Sequence, residues 1–216
     1  MASHDVTGVL EVKRSEAKTR RQARFSGEIR IAVQVGHCSQ ALGAREVAHA
    51  LESSVPGGAY VVTAGCDGAC FDAPQVLVTH PSGVRRRFTK VNPGDVGRIY
   101  EAIESGLDGV DAEREEFFAQ QRRLVLSHCG ELDSTDIDDY ILHGGYEGLA
   151  RVLKTPPEDV MEEVRASGLR GRGGAYFPPA AKWESVRKGP KPAYLIVNSE
   201  EGEPGIFKDR HLMEGV

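Results

Sequence analysis

The spacing of hydrophobic residues changes along this chain, and the changes divide it. Ile29, Ile31, Val33 and Val35 alternate with Arg30, Ala32 and Gln34, the period of a half-buried strand. Leu42, Val47, Ala50 and Leu51 then recur at helical spacing until Pro56-Gly57-Gly58 interrupts them. Ala59-Tyr60-Val61-Val62 predicts a second strand, and Val76-Leu77-Val78 and the segment Val84 to Phe88 flank Pro81-Ser82-Gly83 as in a hairpin. A helix is expected over 92–103, capped by Asn92 or Asp95. Strand, helix, strand, hairpin and helix make a small α/β unit over residues 27–108.

Residues 1–26 are polar and lack periodicity, which predicts a flexible arm. Residues 109–166 read as a helical connector. Its expected helices cover 113–127, with Phe117, Phe118, Leu124 and Val125 on one side, then a stretch from Ser134 to Gly144-Gly145 capped by Asp133 or Ser134. Two more follow at 146–153 and 157–166, the last with proline in its first turn. Residues 167–216 are rich in glycine and proline and hold one strong predicted strand, 194–197.

Composition narrows the function classes. The 216 residues are 40% hydrophobic and 27% charged, ordinary for a globular protein. A net charge of −5 supplies no field for nucleic acid or an anionic membrane. The basic stretch 13–24 reads as part of the arm, and Arg85-Arg86-Arg87 as a solvated strand edge. No apolar run approaches the ~20 residues of a membrane span, and the first five residues lack a signal pattern. The expected location is the cytoplasm. Of the four cysteines, Cys38, Cys66 and Cys70 cluster, which in a cytoplasmic chain favours ligands or free thiols over disulfides.

Cys66-Asp67-Gly68-Ala69-Cys70 spaces two thiolates to reach one metal centre, and Cys38 follows the first strand, where a βα loop brings it towards them. Iron–sulfur clusters normally take four thiolates, so the set is one short. Three readings stand: a fold without a cluster, a cluster with a borrowed fourth ligand, or zinc held by the three cysteines with His37 or His80. Cys129, beside His128, reads as a buried thiol. Through Cys38, Gly43-Ala44 and the 65–70 segment, residues 28–107 resemble the thioredoxin-like ferredoxin domain, and the resemblance implies a [2Fe-2S] cluster on Cys38, Cys66 and Cys70. That family carries a second cysteine in its first loop, near where Leu42 and Gly43 stand here.

Gly171-Arg172-Gly173-Gly174-Ala175 lets backbone approach a ligand closely, with Arg170 or Arg172 adding charge for phosphate. It follows a predicted helix rather than a strand, so it is not a Rossmann fingerprint, and it lacks the P-loop lysine. The predicted strand 194–197 delivers Asn198-Ser199-Glu200-Glu201-Gly202-Glu203, whose crowded carboxylates suit ribose, nicotinamide or flavin edges, or else form a solvated acidic turn.

With Ser167-Gly168-Leu169-Arg170 ahead of the loop, and Phe177-Pro178, Lys182-Trp183, Glu203-Pro204-Gly205 and Lys208-Asp209-Arg210 after it, the chain resembles the FMN- and NADH-binding flavoprotein subunit of bacterial respiratory complex I. It is similar also to the equivalent subunits of NAD-linked hydrogenases and formate dehydrogenases. The resemblance implies an NADH:acceptor oxidoreductase that passes hydride from NADH to FMN and then electrons to iron–sulfur centres. Its partners would be other subunits of a multi-subunit redox complex, with no nucleic acid and no direct membrane insertion. The location implied is cytoplasmic, peripheral to the inner membrane through that complex. By resemblance Gly171, Arg172, Gly173 and Gly174 line the flavin, Lys182 contacts it, Asn198, Glu200 and Glu201 hydrogen-bond it, and Phe177 and Glu203 face the nicotinamide nucleotide.

Two departures stand out. Tyr176 occupies a position where glycine is usual, and Glu200 replaces an aspartate. The expected architecture is a thioredoxin-like N-terminal domain, a helical connector, and the start of a truncated α/β FMN-binding domain over 167–216, with a [4Fe-4S] site only in the missing C-terminal part. Such a truncated chain is expected to be inactive alone. The alternatives are a non-catalytic thioredoxin-like interaction module or a small zinc-binding domain.

Overall fold

The computed structural model describes residues 5–25, 27–108 and 113–215. The β-branched runs form the strands: β1 is Ile29–Gln34, β2 Ala59–Ala64, β3 Val76–Thr79 and β4 Arg85–Phe88. They lie in the order β2-β1-β3-β4, with β1 and β2 parallel and β3 antiparallel to both β1 and β4. The fold class is therefore α/β with a mixed sheet, as the patterning led one to expect. The parallel pair requires a crossover, supplied by α2 (His37–Gln40) and α3 (Ala44–Glu52). The hairpin turns at Gly83, where the His80 N–H donates to the Val84 carbonyl at 2.8 Å. Asn92 caps the next segment by accepting from the Gly94 N–H at 3.0 Å, and α4 (Val96–Glu104) follows.

One sheet face holds the main core. Ile31, Val33, Val76 and Val78 meet Val47 and Leu51 of α3 and Ile99 of α4, all at 0% exposure. Each such side chain contributes about 1.5–3 kcal/mol on burial. On the other face Ala32, Tyr60, Val62 and Leu77 form a smaller cluster, with Phe25 stacked on Tyr60 at 4.5 Å. β1 is thus buried on both faces rather than half-buried. Its polar side chains are buried because each has partners: Arg30 pairs with Asp139 at 2.7 Å, and Gln34 donates to Asp67 at 2.8 Å.

The expected flexible arm is instead a helix, α1 (Val6–Arg24). Arg20 makes a bidentate contact with Asp138, both bonds at 2.6 Å, Arg24 reaches Asp136 at 3.0 Å, and Arg21 donates to the Tyr60 hydroxyl. The basic residues that suggested solvated disorder are docking contacts to a run of aspartates. Arg87, expected at a solvated edge, is buried at 9% exposure and Arg85 pairs with Glu131.

The connector also departs from expectation. The first helix, α5, stops at Ala119 (Glu113–Ala119), well short of residue 127. Beyond it the chain turns so that Arg123 lies 4.9 Å over the Phe118 ring and donates to the Asp67 carbonyl at 2.8 Å. The second, α6 (Ile137–Leu142), is capped by Asp136 rather than Asp133 or Ser134. Next come α7 (Glu147–Val152) and α8 (Pro157–Ala166). Two helices the patterning did not announce follow, α9 (Pro179–Lys188) and α10 (Lys208–Gly215).

The strand expected at 194–197 does not form. Those four residues are irregular and 78–95% exposed, and among the described residues of their unit no strand offers hydrogen-bond partners. The chain divides into two compact units, Arg14–His143 with Ser199–Val216 and Met1–Lys13 with Gly144–Asn198. The first is called the sheet unit below and the second the loop unit. This division differs from boundaries at 26/27, 108/109 and 166/167, the second of which falls against residues 109–112, outside those described.

Candidate functional site

In the sheet unit the site grows from strand pairing. Gln34 and Ala64 are register partners at the C-terminal ends of the parallel strands β1 and β2. The loops that follow are therefore neighbours, where α/β sheets place ligands. One loop carries Cys38 on α2, and the other carries Cys66 to Cys70. They approach so closely that a Cβ on Gly36 would stand 2.9 Å from the Cys66 Cβ, which only glycine permits.

A buried polar cluster fixes the second loop. Asp67 accepts from Gln34 at 2.8 Å, from Gln75 at 3.3 Å, from its own loop's Ala69 N–H at 3.0 Å, and from Arg87. The Arg87 guanidinium also lies 4.2 Å over the Phe118 ring. These residues were not singled out by sequence reasoning, which placed strand polar residues in solvent. The one available signal was a polar residue on or beside three strands, Gln34 on β1, Gln75 just before β3 and Arg87 on β4.

The Cys66 sulfur accepts from the Gly68 N–H at 3.3 Å. Burial pushes the Cys66 thiol up to about 12, with Asp67 and Cys70 adding to the rise against the Gly68 N–H. Burial, and then the adjoining Cys38, also raises Cys70. Cys38 is exposed, and all four cysteines are free thiols. Cys129 is buried and its S–H donates to the His211 carbonyl at 3.6 Å. His211 Nε2 is buried without a hydrogen-bond partner, near Gly68.

The expected metal centre does not fit this arrangement. Among the described residues no group of three or more histidine, cysteine, aspartate or glutamate side chains is disposed to hold a metal ion. His80 stands after β3, whose Thr79 pairs with Arg30 near the N-terminal end of β1, so it lies at the opposite sheet end from the thiols. Its Nδ1 is 2.7 Å from Ser82 Oγ. His37 is exposed beside Cys38.

The loop unit holds the glycine-rich segment. Ser167 and Gly168 close α8, and the Gly171 N–H donates to the Phe177 carbonyl at 2.9 Å, tying the loop into a ring. A Cβ on Gly171 would press on that carbonyl at 3.2 Å, whereas nothing lies within 4 Å of a Cβ at Gly173 or Gly174. The inside of the ring is thus tight and its glycine side open. Two cations sit on it: Arg172 is 5.3 Å from the centre of the Tyr176 ring, and Lys182 of α9 is 5.9 Å from that of Phe177. Tyr176 has φ +55°, the left-handed region, which explains why glycine suits this position. An open glycine edge with two adjacent cations fits the phosphate of a nucleotide-like ligand.

Asn198 belongs to this unit, while Glu200, Glu201 and Glu203 belong to the sheet unit. Glu201 is not idle there. Its carboxylate accepts from the N–H groups of Asp209 at 2.6 Å and Arg210 at 3.4 Å, satisfying the start of α10. The Glu203 carbonyl accepts from the Ile206 N–H at 3.2 Å, forming the turn before it.

Comparison with known proteins bears on the second region. Residues 164–216 match the family described as the Nuo51 FMN-binding domain. The NADP-reducing hydrogenase subunit HndC of Solidesulfovibrio fructosivorans is 47% identical over 98 residues, covering 44% of this chain and 20% of that protein. An NADH-quinone oxidoreductase subunit of Aquifex aeolicus is 47% identical over 91 residues, covering 42% and 21%, and its counterpart in Streptomyces coelicolor is 49% identical over 91 residues. The chain thus spans about a fifth of the length of these curated relatives. A solved NAD+-reducing [NiFe]-hydrogenase aligns over 98% of this chain and 42% of its own, at 19% identity and a TM-score of 0.37, too loose a likeness to carry weight. The resemblance read from the glycine-rich segment is therefore present in the sequence relationships. No described helix is long and apolar enough to cross a membrane.

Proposed function

We propose that this chain supplies part of the FMN- and NADH-binding site of an oxidoreductase flavoprotein subunit, of the NADH-quinone oxidoreductase and NAD(P)-linked hydrogenase type. The observation that carries the reading is the closed glycine ring at 171–177 with Arg172 and Lys182 beside it, in the segment that matches an FMN-binding family. FMN, when bound, is the group that takes hydride from NADH and releases single electrons. The chain's residues bind and orient. Gly171, Gly173 and Gly174 let backbone N–H groups approach phosphate, and Arg172 and Lys182 neutralise its charge. Phe177 offers an apolar wall to a nicotinamide nucleotide. Asn198, of the same unit, offers hydrogen-bonding groups to ring and ribose edges.

Electrons leaving such a site require acceptors in neighbouring subunits, so the chain's place is in a multi-subunit redox complex. The three clustered thiols do not complete a [2Fe-2S] ligand set, and no electron path is drawn through them. On its own the chain binds FMN weakly and is inactive as an NADH oxidase. Among the described residues of the loop unit Ala150 and Ala180 are the buried hydrophobic ones, too little core to hold the ring rigid.

Titration of the purified chain with FMN and with riboflavin, followed by flavin fluorescence, tests the reading. FMN binds weakly but about tenfold more tightly than riboflavin, about 1.4 kcal/mol for the phosphate. Arg172→Ala with Lys182→Ala removes that difference. Equal behaviour of the two flavins, or a difference untouched by the substitutions, would overturn the phosphate assignment.

A further inference from the structure

The two faces of the sheet are covered in different ways. On one face α3 and α4 bury Val47, Leu51 and Ile99 against β1 and β3. On the other, Ala32, Tyr60, Val62 and Leu77 are buried, and Phe25 is the partly buried apolar side chain packed on them. Phe25 follows α1, in which, among the described residues, Ala17 is the one buried side chain. Residues 14–25 are therefore held to the sheet unit mainly by polar contacts. Arg20 grips Asp138 with two bonds at 2.6 Å and Arg24 reaches Asp136 at 3.0 Å. Arg21 bonds the Tyr60 hydroxyl and lies 4.0 Å from Asp139.

We propose that residues 14–25 form an ionic strap, which detaches from the sheet unit when its arginine–aspartate pairs are screened, while the sheet itself stays folded. The pairs stand where salt can act on them, because the Arg20 and Arg24 side chains are 53% and 63% exposed. Helices in proteins draw most of their stability from a packed apolar face. With Ala17 as its buried residue, this stretch has little to keep it helical once the pairs open.

The surface that receives the strap does not depend on it. Ile31, Val33, Val76 and Val78 are packed on the opposite sheet face. Arg30 and Asp139, whose side chains are 10% and 7% exposed, join β1 to α6 at 2.7 Å in a place that salt reaches poorly. Asp136 and Asp138, the cap and first turn of the same helix, thus stay in position when the arginines leave. Release opens the cavity of 320 Å³ between α1, β2 and α6, lined by Phe25, Val62 and Asp138 among others, and uncovers the Tyr60 ring on which Phe25 stacks. The strap is a reversible cover over a preformed apolar and acidic face.

Hydrogen exchange of the full chain, compared at low salt and at about 1 M sodium chloride, where the screening length is about 3 Å, tests this. Exchange across residues 14–25 should rise about tenfold with salt while β1 and β3 stay protected, as a local opening requires. A dye that binds exposed apolar surface should gain fluorescence in parallel. Asp136→Asn with Asp138→Asn, which keeps an oxygen to cap α6, should give the same rise at low salt and abolish the response to salt. Arg20→Gln with Arg24→Gln should do the same, and the four substitutions together should add nothing further, because both sets break the same pairs. Exchange across 14–25 that ignores salt would overturn the proposal, as would an equal rise in β1 or fully additive effects of the two sets.

Discussion

The two units of this chain hold their candidate sites by opposite means. In the sheet unit the cysteine loops stand on a sheet buried on both faces, with Asp67 held by Gln34 and Arg87 beneath one loop and Arg30 paired with Asp139. In the loop unit the glycine ring is tied by one backbone hydrogen bond and flanked by exposed aromatic residues, Tyr176 at 62%, Phe177 at 49% and Trp183 at 52%. Helices α8 and α9 meet there through ion pairs, Arg165 with Glu184 at 3.1 Å and Arg187 with Glu158, at largely exposed side chains. Such surface pairs contribute little. The contrast separates recognisability from rigidity. The region with the stronger sequence signature is the one with less core beneath it, because glycines and cations are chosen for what they bind.

Substitutions at buried positions should widen the contrast most. Arg87→Met leaves the Asp67 carboxylate buried without its cation and should cost about 3–5 kcal/mol in urea unfolding followed by circular dichroism. A loss below about 1 kcal/mol would mean the loop is not anchored as described. Truncation in each unit gives the direct comparison. Leu51→Ala, at 0% exposure, should cost about 2–5 kcal/mol, and Leu153→Ala, at 59%, less than about 0.5 kcal/mol. Similar values would erase the distinction between the units.

Acid should act on the sheet unit first. Burial raises the Asp139 carboxyl, but the Arg30 hydrogen bonds and charge, the Asp133 N–H and His143 together hold it below the usual range. A carboxyl depressed in the folded state contributes stability that is present above its unfolded value, about 3.9, and lost as pH falls through the lower folded value. The midpoint of thermal unfolding should therefore fall below about pH 4 by less in Asp139→Asn, which is less stable at neutral pH, than in the unsubstituted chain. An equal acid response in both would remove Asp139 as the cause.

The smallest expected effect lies in the glycine ring. Tyr176→Gly removes a side chain from a left-handed position and frees Arg172 from the ring it covers. A cation–π contact of about 0.5–1 kcal/mol corresponds to a two- to fivefold rise in FMN affinity by fluorescence titration. A fall would show that the tyrosine ring serves as part of the ligand's stacking surface.

Much of the sheet was legible because its residues follow one rule at a time. Alternation at Ile29–Gln34, the Pro81-Ser82-Gly83 turn and the Asn92 cap each have a local cause. What escaped depended on partners distant in sequence. Arg20 and Arg24 make α1 a docked helix only because Asp138 and Asp136 lie against them, more than a hundred residues on. Arg87 is buried because Asp67 and Phe118 receive it. The residues at 194–197 have strand character in sequence, yet a strand exists only where a neighbour pairs with it. In the candidate sites, cysteine spacing located the neighbouring cysteine loops but not the buried Asp67 cluster beneath one of them, and the glycine run located the ring but not the positive φ at Tyr176.

Amide hydrogen exchange of the chain, followed by mass spectrometry with and without FMN, tests the flavin assignment most directly. Residues 170–177 should exchange rapidly in the free chain, far faster than β1 and β3, and saturating FMN should slow them while riboflavin does not. Slowing confined to the cysteine-bearing loops, or identical protection by both flavins, would contradict the assignment.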